Sequence, residues 1–231
     1  MLEIFKILLK EIKIFAKSNW WIFVIFALSL VMIYKTNTGN IFEISLVFCM
    51  HFFGDLFVMM MAYYFSVKNN NKRLIFQILQ VFVFTSLGLY AGFSAGKWHY
   101  LFPQIVFILP AIKLYFLEIK GKNIDYLNWK LSFILNLLII VVNYYLNLLT
   151  NIFSFIQIVG FVFFSIGLIL INDKEKYLFS LVGIFFISLG GLNVVIDSFL
   201  ISNIKGIDIS YTLLPITVLV FYLKNLKKFI N

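Results

Sequence analysis

The chain's 231 residues are 62% hydrophobic and 13% charged, against roughly 45–50% and 25% in a soluble domain. That excludes an ordinary water-soluble fold and leaves one compact membrane helix bundle, without room for a separate soluble domain. The net charge of +9 is no nucleic-acid footprint, because the basic residues fall between apolar runs, where they serve topology and anionic headgroups.

Residues 1–18 set Lys6, Lys10, Lys13 and Lys17 among Ile4, Phe5, Leu8, Leu9, Ile12 and Phe15. This reads as an amphipathic basic helix on the cytoplasmic face, not as a signal peptide. Eight apolar stretches follow, at 19–35, 41–67, 74–96, 99–119, 130–149, 152–172, 177–201 and 208–223. Most approach the ~20 residues that a spanning helix needs. The short joints predict antiparallel neighbours. The predicted fold is all-α: a single domain over 19–231 of eight transmembrane helices, preceded by the surface helix at 1–18.

Charge tests that count. Of the 19 cationic residues, all but Arg73 are lysine. Alternate joints collect the first four lysines; Lys68, Lys72 and Arg73; Lys120, Lys122 and Lys130; Lys174 and Lys176; and Lys224, Lys227 and Lys228. The opposite joints receive only Lys35, Lys97 and Lys205. The asymmetry predicts both termini on the cytoplasmic side of a multi-pass cell-membrane protein. Lys113 lies within the fourth stretch near its cytoplasmic end, where it is expected to snorkel outward. Pro103 and Pro110 in that stretch, and Pro215 in the eighth, are expected to kink their helices. Cys49, the single cysteine, excludes an internal disulfide and reads as a small packing residue.

Two carboxylates break the apolar pattern. Asp55 stands near the middle of the second stretch and Asp197 in the seventh. A carboxylate inside a bilayer costs a few kcal/mol on insertion scales, and such groups mark proton relays, ion paths or catalytic sites. His51 precedes Asp55 by one helical turn and Asn193 precedes Asp197 by the same spacing, so each pair shares a helix face. An imidazolium beside Asp55 favours its charged form and burial favours the neutral one; the sequence leaves the balance open. Gly54, and the pair Gly190 and Gly191, allow close approach of a neighbouring helix. Two histidines in separate stretches without HExxH argue against a zinc site. There is no nucleophile elbow and no phosphate loop, so no metal or cofactor is expected. His99 reads as interfacial. Three roles remain open at this level: a membrane-embedded enzyme, a carrier or lipid-binding bundle with proton-relay aspartates, and helix pairing through buried polar groups.

Gly54-Asp55-Leu56-Phe57-Val58-Met59 and Gly191-Leu192-Asn193-Val194-Val195-Ile196-Asp197, with Tyr211 in the last stretch, resemble the motifs of the YhhN/TMEM86 family of lysoplasmalogenases. Ile196 stands where that family usually has serine, and 74–96 lacks its third-span histidine. The resemblance implies a bundle of eight spans that cleaves the vinyl ether of a lysophospholipid to a fatty aldehyde and a glycerophospho-headgroup. It implies Asp55 and Asp197 as the acid and base, with His51, Asn193, Gly54 and Tyr211 around them. The implied partner is a membrane lipid substrate, with no cofactor. Oligomeric state is not readable from the sequence.

Overall fold

A computed structural model describes residues 2–36, 41–95, 101, 107–118, 120–121, 129–145, 152–170, 173–200 and 206–230. Among these residues there is no strand, and nine helices: α1 Leu2–Ser18, α2 Trp20–Thr36, α3 Ile41–Ser66, α4 Asn70–Ala95, α5 Ile108–Glu118, α6 Trp129–Tyr145, α7 Ile152–Ile169, α8 Asp173–Leu200 and α9 Gly206–Ile230. Each predicted apolar stretch holds one helix, although the fourth is helical in the described residues only from Ile108. Three segments are long and apolar enough to cross a membrane: Ile44–Ser66, Asn70–Tyr90 and Lys174–Asn193. A fourth is added if α1 and α2 count as one broken span. The outer faces carry large apolar side chains such as Trp20, Phe82, Phe93, Phe199 and Leu200, which are 66–79% exposed. An exterior this apolar suits lipid better than water.

The α1–α2 break is built locally. Ser18 Oγ and Asn19 Nδ2 both donate to the carbonyl of Phe15, which also accepts the Asn19 N–H at 3.1 Å, so the last turn of α1 is closed by side chains as well as backbone. The chain then turns by 99° into α2. A right-angled corner of this kind fits a helix lying along a surface beside one that enters the bundle. Phe15, fully buried, pins α1 against Tyr63 of α3 and Phe221 of α9.

The turn between α3 and α4 is equally specific. The Asn69 N–H reaches the Tyr64 carbonyl at 2.9 Å and the Lys68 N–H reaches Phe65 at 3.1 Å, the two bonds of a Schellman ending. Lys68 adopts the left-handed φ of 54° that this ending requires. Asn69 Oδ1 then accepts from the Lys72 N–H, capping α4. A three-residue turn thus sets Lys72 and Arg73 in fixed places.

From Gly54 to Ala62, α3 is buried on every side, which is why it has no polar face to betray its orientation. The core gathers there: Met59 and Met60 meet Leu214, Val218 and Phe221 of α9 in one cluster. α9 packs against α2, α3 and α8, and α7 and α8 form the most extensive pair. Gly160, Gly167 and Gly183 make that last pairing possible. A Cβ on Gly183 would lie 2.4 Å from the Phe164 backbone nitrogen, and one on Gly160 would lie 2.7 Å from the Gly183 carbonyl.

Three expectations change here. Lys113 is buried, not stretched toward headgroups, because α5 turns that face toward its neighbours. Pro110 is the third residue of α5, where a missing N–H leaves no helical bond unmade; it starts a helix instead of kinking one. Cys49 is exposed, so it packs no core. Pro215 does lie inside α9. Pro103, Lys97, His99 and Lys205 lie outside the described residues.

Candidate functional site

Asp55 heads the fully buried stretch of α3 and is 6% exposed. Its Oδ2 lies 2.8 Å from His51 Nδ1, as the spacing of one turn requires. With the proton on Nδ1 the ring donates to the carboxylate, and the ring edge-packs on Phe84 of α4 at 5.9 Å. Gly54 is what lets Phe84 in: a Cβ there would approach the Phe84 ring to 2.6 Å. The glycine next to the aspartate therefore serves close packing, as its place in the sequence implies.

α4 supplies polar groups that the sequence reading passed over. Gln77 is fully buried and Gln80 is 1% exposed. Both amide atoms of Gln77, and Oε1 of Gln80, have no hydrogen-bond partner among the described residues. Phe76 packs on Phe57 and Phe84 on Gly54 and His51. Phe76 also stacks on Tyr64 at 5.5 Å, so the antiparallel register sets Gln80 nearest the level of Asp55 and Gln77 about one turn closer to the α3–α4 turn. Buried amides left unpaired are uncommon and are usually met by water or ligand. The signal was present in the sequence as two glutamines three apart inside an apolar run.

Asn193 is buried in α8. Thr212 Oγ1 of α9 donates to the Gly191 carbonyl at 2.7 Å, which locks α8 to α9 at the expected glycine pair; Gly190 and Gly191 are both buried. Asp197 follows one turn later in α8 and Tyr211 lies in α9; the side chains of both lie outside the described residues. Among the described residues, no group of three His, Cys, Asp or Glu side chains is placed as metal ligands would be.

A second polar cluster sits at the helix ends. Glu11 of α1 accepts from Tyr64 Oη and pairs with Lys72 Nζ at 2.8 Å. Burial works to raise its pKa, but the bonds from Lys72 and Tyr64 and the charges of Lys72 and Lys10 outweigh that and hold it below the usual carboxylate value. Tyr177 Oη of α8 donates to the Tyr222 carbonyl of α9, joining those helices at the same end. No family model, curated protein or solved structure matches the chain.

Proposed function

We propose that this chain is a membrane-embedded hydrolase of the lysoplasmalogenase type, similar to the YhhN/TMEM86 family. In this reading it spans the cell membrane eight times with both termini cytoplasmic, as the alternation of lysine-rich joints implies. The observation that carries the reading is the buried Asp55 held at 2.8 Å by His51, on a helix that faces α4 with its buried Gln77 amide and Gln80 Oε1 unpartnered among the described residues.

The chemistry asks for such a mixture. Cleavage of a vinyl ether begins when an acid gives a proton to the alkene carbon distal to oxygen, leaving an oxocarbenium ion. Water adds to the cationic carbon and loses a proton to a base. The hemiacetal then collapses, its hydroxyl proton passing to the departing glycerol oxygen, to give aldehyde and headgroup alcohol. Asp55 and Asp197 divide the work: one neutral as acid, one ionised as base and cation stabiliser, a split that two carboxyls in a dry site supply. His51 orients the Asp55 carboxylate. Gln77 and Gln80 hold the water that a hydrophobic interior otherwise excludes. Asn193 orients Asp197, and the resemblance adds Tyr211 to the same site.

The test is release of fatty aldehyde from a lysoplasmalogen by the purified protein. Asp55→Asn and Asp197→Asn are each expected to abolish release while the protein stays folded, and His51→Ala to slow it by about 10²-fold or more. A wild-type protein that releases no aldehyde from any alkenyl lipid removes the basis for this function.

A further inference from the structure

The two helices that carry buried polar groups near Asp55 share a cleft at their common end. Ala62 of α3 and Arg73 of α4 both line it, with Tyr177 and Ser180 of α8 and Tyr222 of α9. The cleft is partly open, and its enclosed part measures about 20 Å³, room for one water. Phe65 also borders it and stands at the end of the candidate span Ile44–Ser66, while Arg73 stands at the start of Asn70–Tyr90. The mouth of the cleft therefore lies where those two spans end.

From this mouth two helix faces run inward side by side. Seven residues make about two turns of helix and return to the same face. Seven residues from Ala62 along α3 stands Asp55, and seven from Arg73 along α4 stands Gln80. Gln77 comes between, one turn from Arg73 and on the same face. α3 and α4 are packed neighbours joined by a tight turn, so both faces climb about 10.5 Å in one direction. Gln77 is fully buried with both amide atoms unpartnered among the described residues, and Gln80, 1% exposed, leaves Oε1 in the same state. Buried amides in that condition are ordinarily met by ordered water. The polar row then stops. The next positions on that face of α4 are Phe84 and Leu87, and the Phe84 ring lies against Gly54 and His51.

We propose that a single file of water enters at this cleft, passes Gln77 and Gln80, and ends at the Asp55 carboxyl. Asp55 then meets solvent from the α3–α4 turn end of the bundle, and Phe84 closes the file beyond it. Waters spaced ~2.8 Å apart cover the climb in about four steps. A glutamine amide both donates and accepts, so Gln77 can hold a water on either side of itself whichever way the hydrogens of the file point. The cations at the mouth keep their own contacts, Arg73 and Lys176 both lying over the Phe65 ring; neutral water requires no free charge there. The file deepens the hydrolase reading and rests on it only for the use made of the water.

His51, bonded to Asp55, reports on the inner end of the file. The chain has only two histidines, His51 and His99, so histidine labelled with heavy nitrogen gives two ring systems, and His99→Gln assigns them. The full-length protein in lipid nanodiscs is examined by NMR for transfer of magnetisation from water to the His51 ring N–H. Wild type should show transfer. Gln77→Leu and Gln80→Leu should each slow it about tenfold, the factor for one lost hydrogen-bonding site. Ala62→Leu, which fills the mouth, should slow it as well; if that crowded variant fails to fold, the two glutamine variants keep the test decisive. Phe82→Leu, at a 69% exposed position on the outward face of α4, should change nothing. No transfer in wild type, or transfer unaltered in both Gln77→Leu and Gln80→Leu, overturns the proposal. No substrate is present, so a protein that releases no aldehyde can still show the file, and one that releases aldehyde can still lack it.

Discussion

Replacing Gly183 by alanine isolates the seam on which α8, and with it Asn193 and Asp197, is positioned. The added Cβ would lie 2.4 Å from Phe164 N, 2.7 Å from Gly160 O and 2.8 Å from Phe164 Cα, against 3.4 Å at the near edge of ordinary contact. All three obstacles are backbone atoms of α7, so no rotamer change relieves them; the helices must part by about an ångström. A radial gap of 0.5–1 Å forfeits a quarter to a half of each dispersion well along the seam. Overpacking of this kind costs about 3 kcal/mol. Alanine's better helix propensity returns about 1 kcal/mol. The net loss of about 2 kcal/mol is a factor of ~30 in the folded-to-unfolded ratio. Gly54→Ala is the internal comparison, since its obstacle is the far edge of the Phe84 ring, a side chain that can give; it should lose about 1 kcal/mol. Reversible unfolding in mixed micelles, followed by tryptophan fluorescence, measures both. Gly183→Ala within 0.5 kcal/mol of wild type, or less destabilised than Gly54→Ala, would refute the backbone-contact argument.

Lys68→Gly should stabilise the protein by about 0.5–1 kcal/mol, because the left-handed φ of 54° strains lysine and not glycine; a lower melting temperature would count against the Schellman assignment. Gln77→Leu removes two buried unpaired polar atoms and should leave melting unchanged or raise stability by about 1 kcal/mol while slowing aldehyde release. A fall of several degrees in melting would mean that the amide is structural. Glu11 has a pKa held below the ordinary 4.5 by its partners. Its contribution is therefore complete above that value and disappears as pH falls through the lower folded value. The stability gap between wild type and Glu11→Gln, about 1 kcal/mol or less for a partly solvated pair, should be flat at neutral pH and close on acidification; a gap that persists in acid would show that the ion pair adds nothing.

Apolar periodicity and lysine placement made the helices legible, since a run of ~20 apolar residues has few other uses. The amphipathic helix at 1–18 was legible from its lysine spacing, whereas the 99° turn that follows it was not read from the sequence. What stayed hidden was pairing. α3 is apolar all round from Leu56 to Met61, so nothing in its sequence says which neighbour lies on which side. Gly160, Gly167 and Gly183 passed as ordinary glycines because a close backbone approach requires two helices, and the sequence displays one at a time. At the site, His51 and Asp55 were legible because one helical turn joins them. Gln77 and Gln80 were not linked to them because that proximity depends on the register between α3 and α4, which Phe76, Phe84 and Gly54 set together.

That register also explains why polar chemistry separates into two levels. Around Asp55, a carboxylate and an imidazole sit against the Phe84 ring in an apolar stretch of α3. At the helix ends, Glu11, Lys72, Arg73 and Lys176 are fixed by a capped turn and by two aromatic rings, Tyr64 and Phe65.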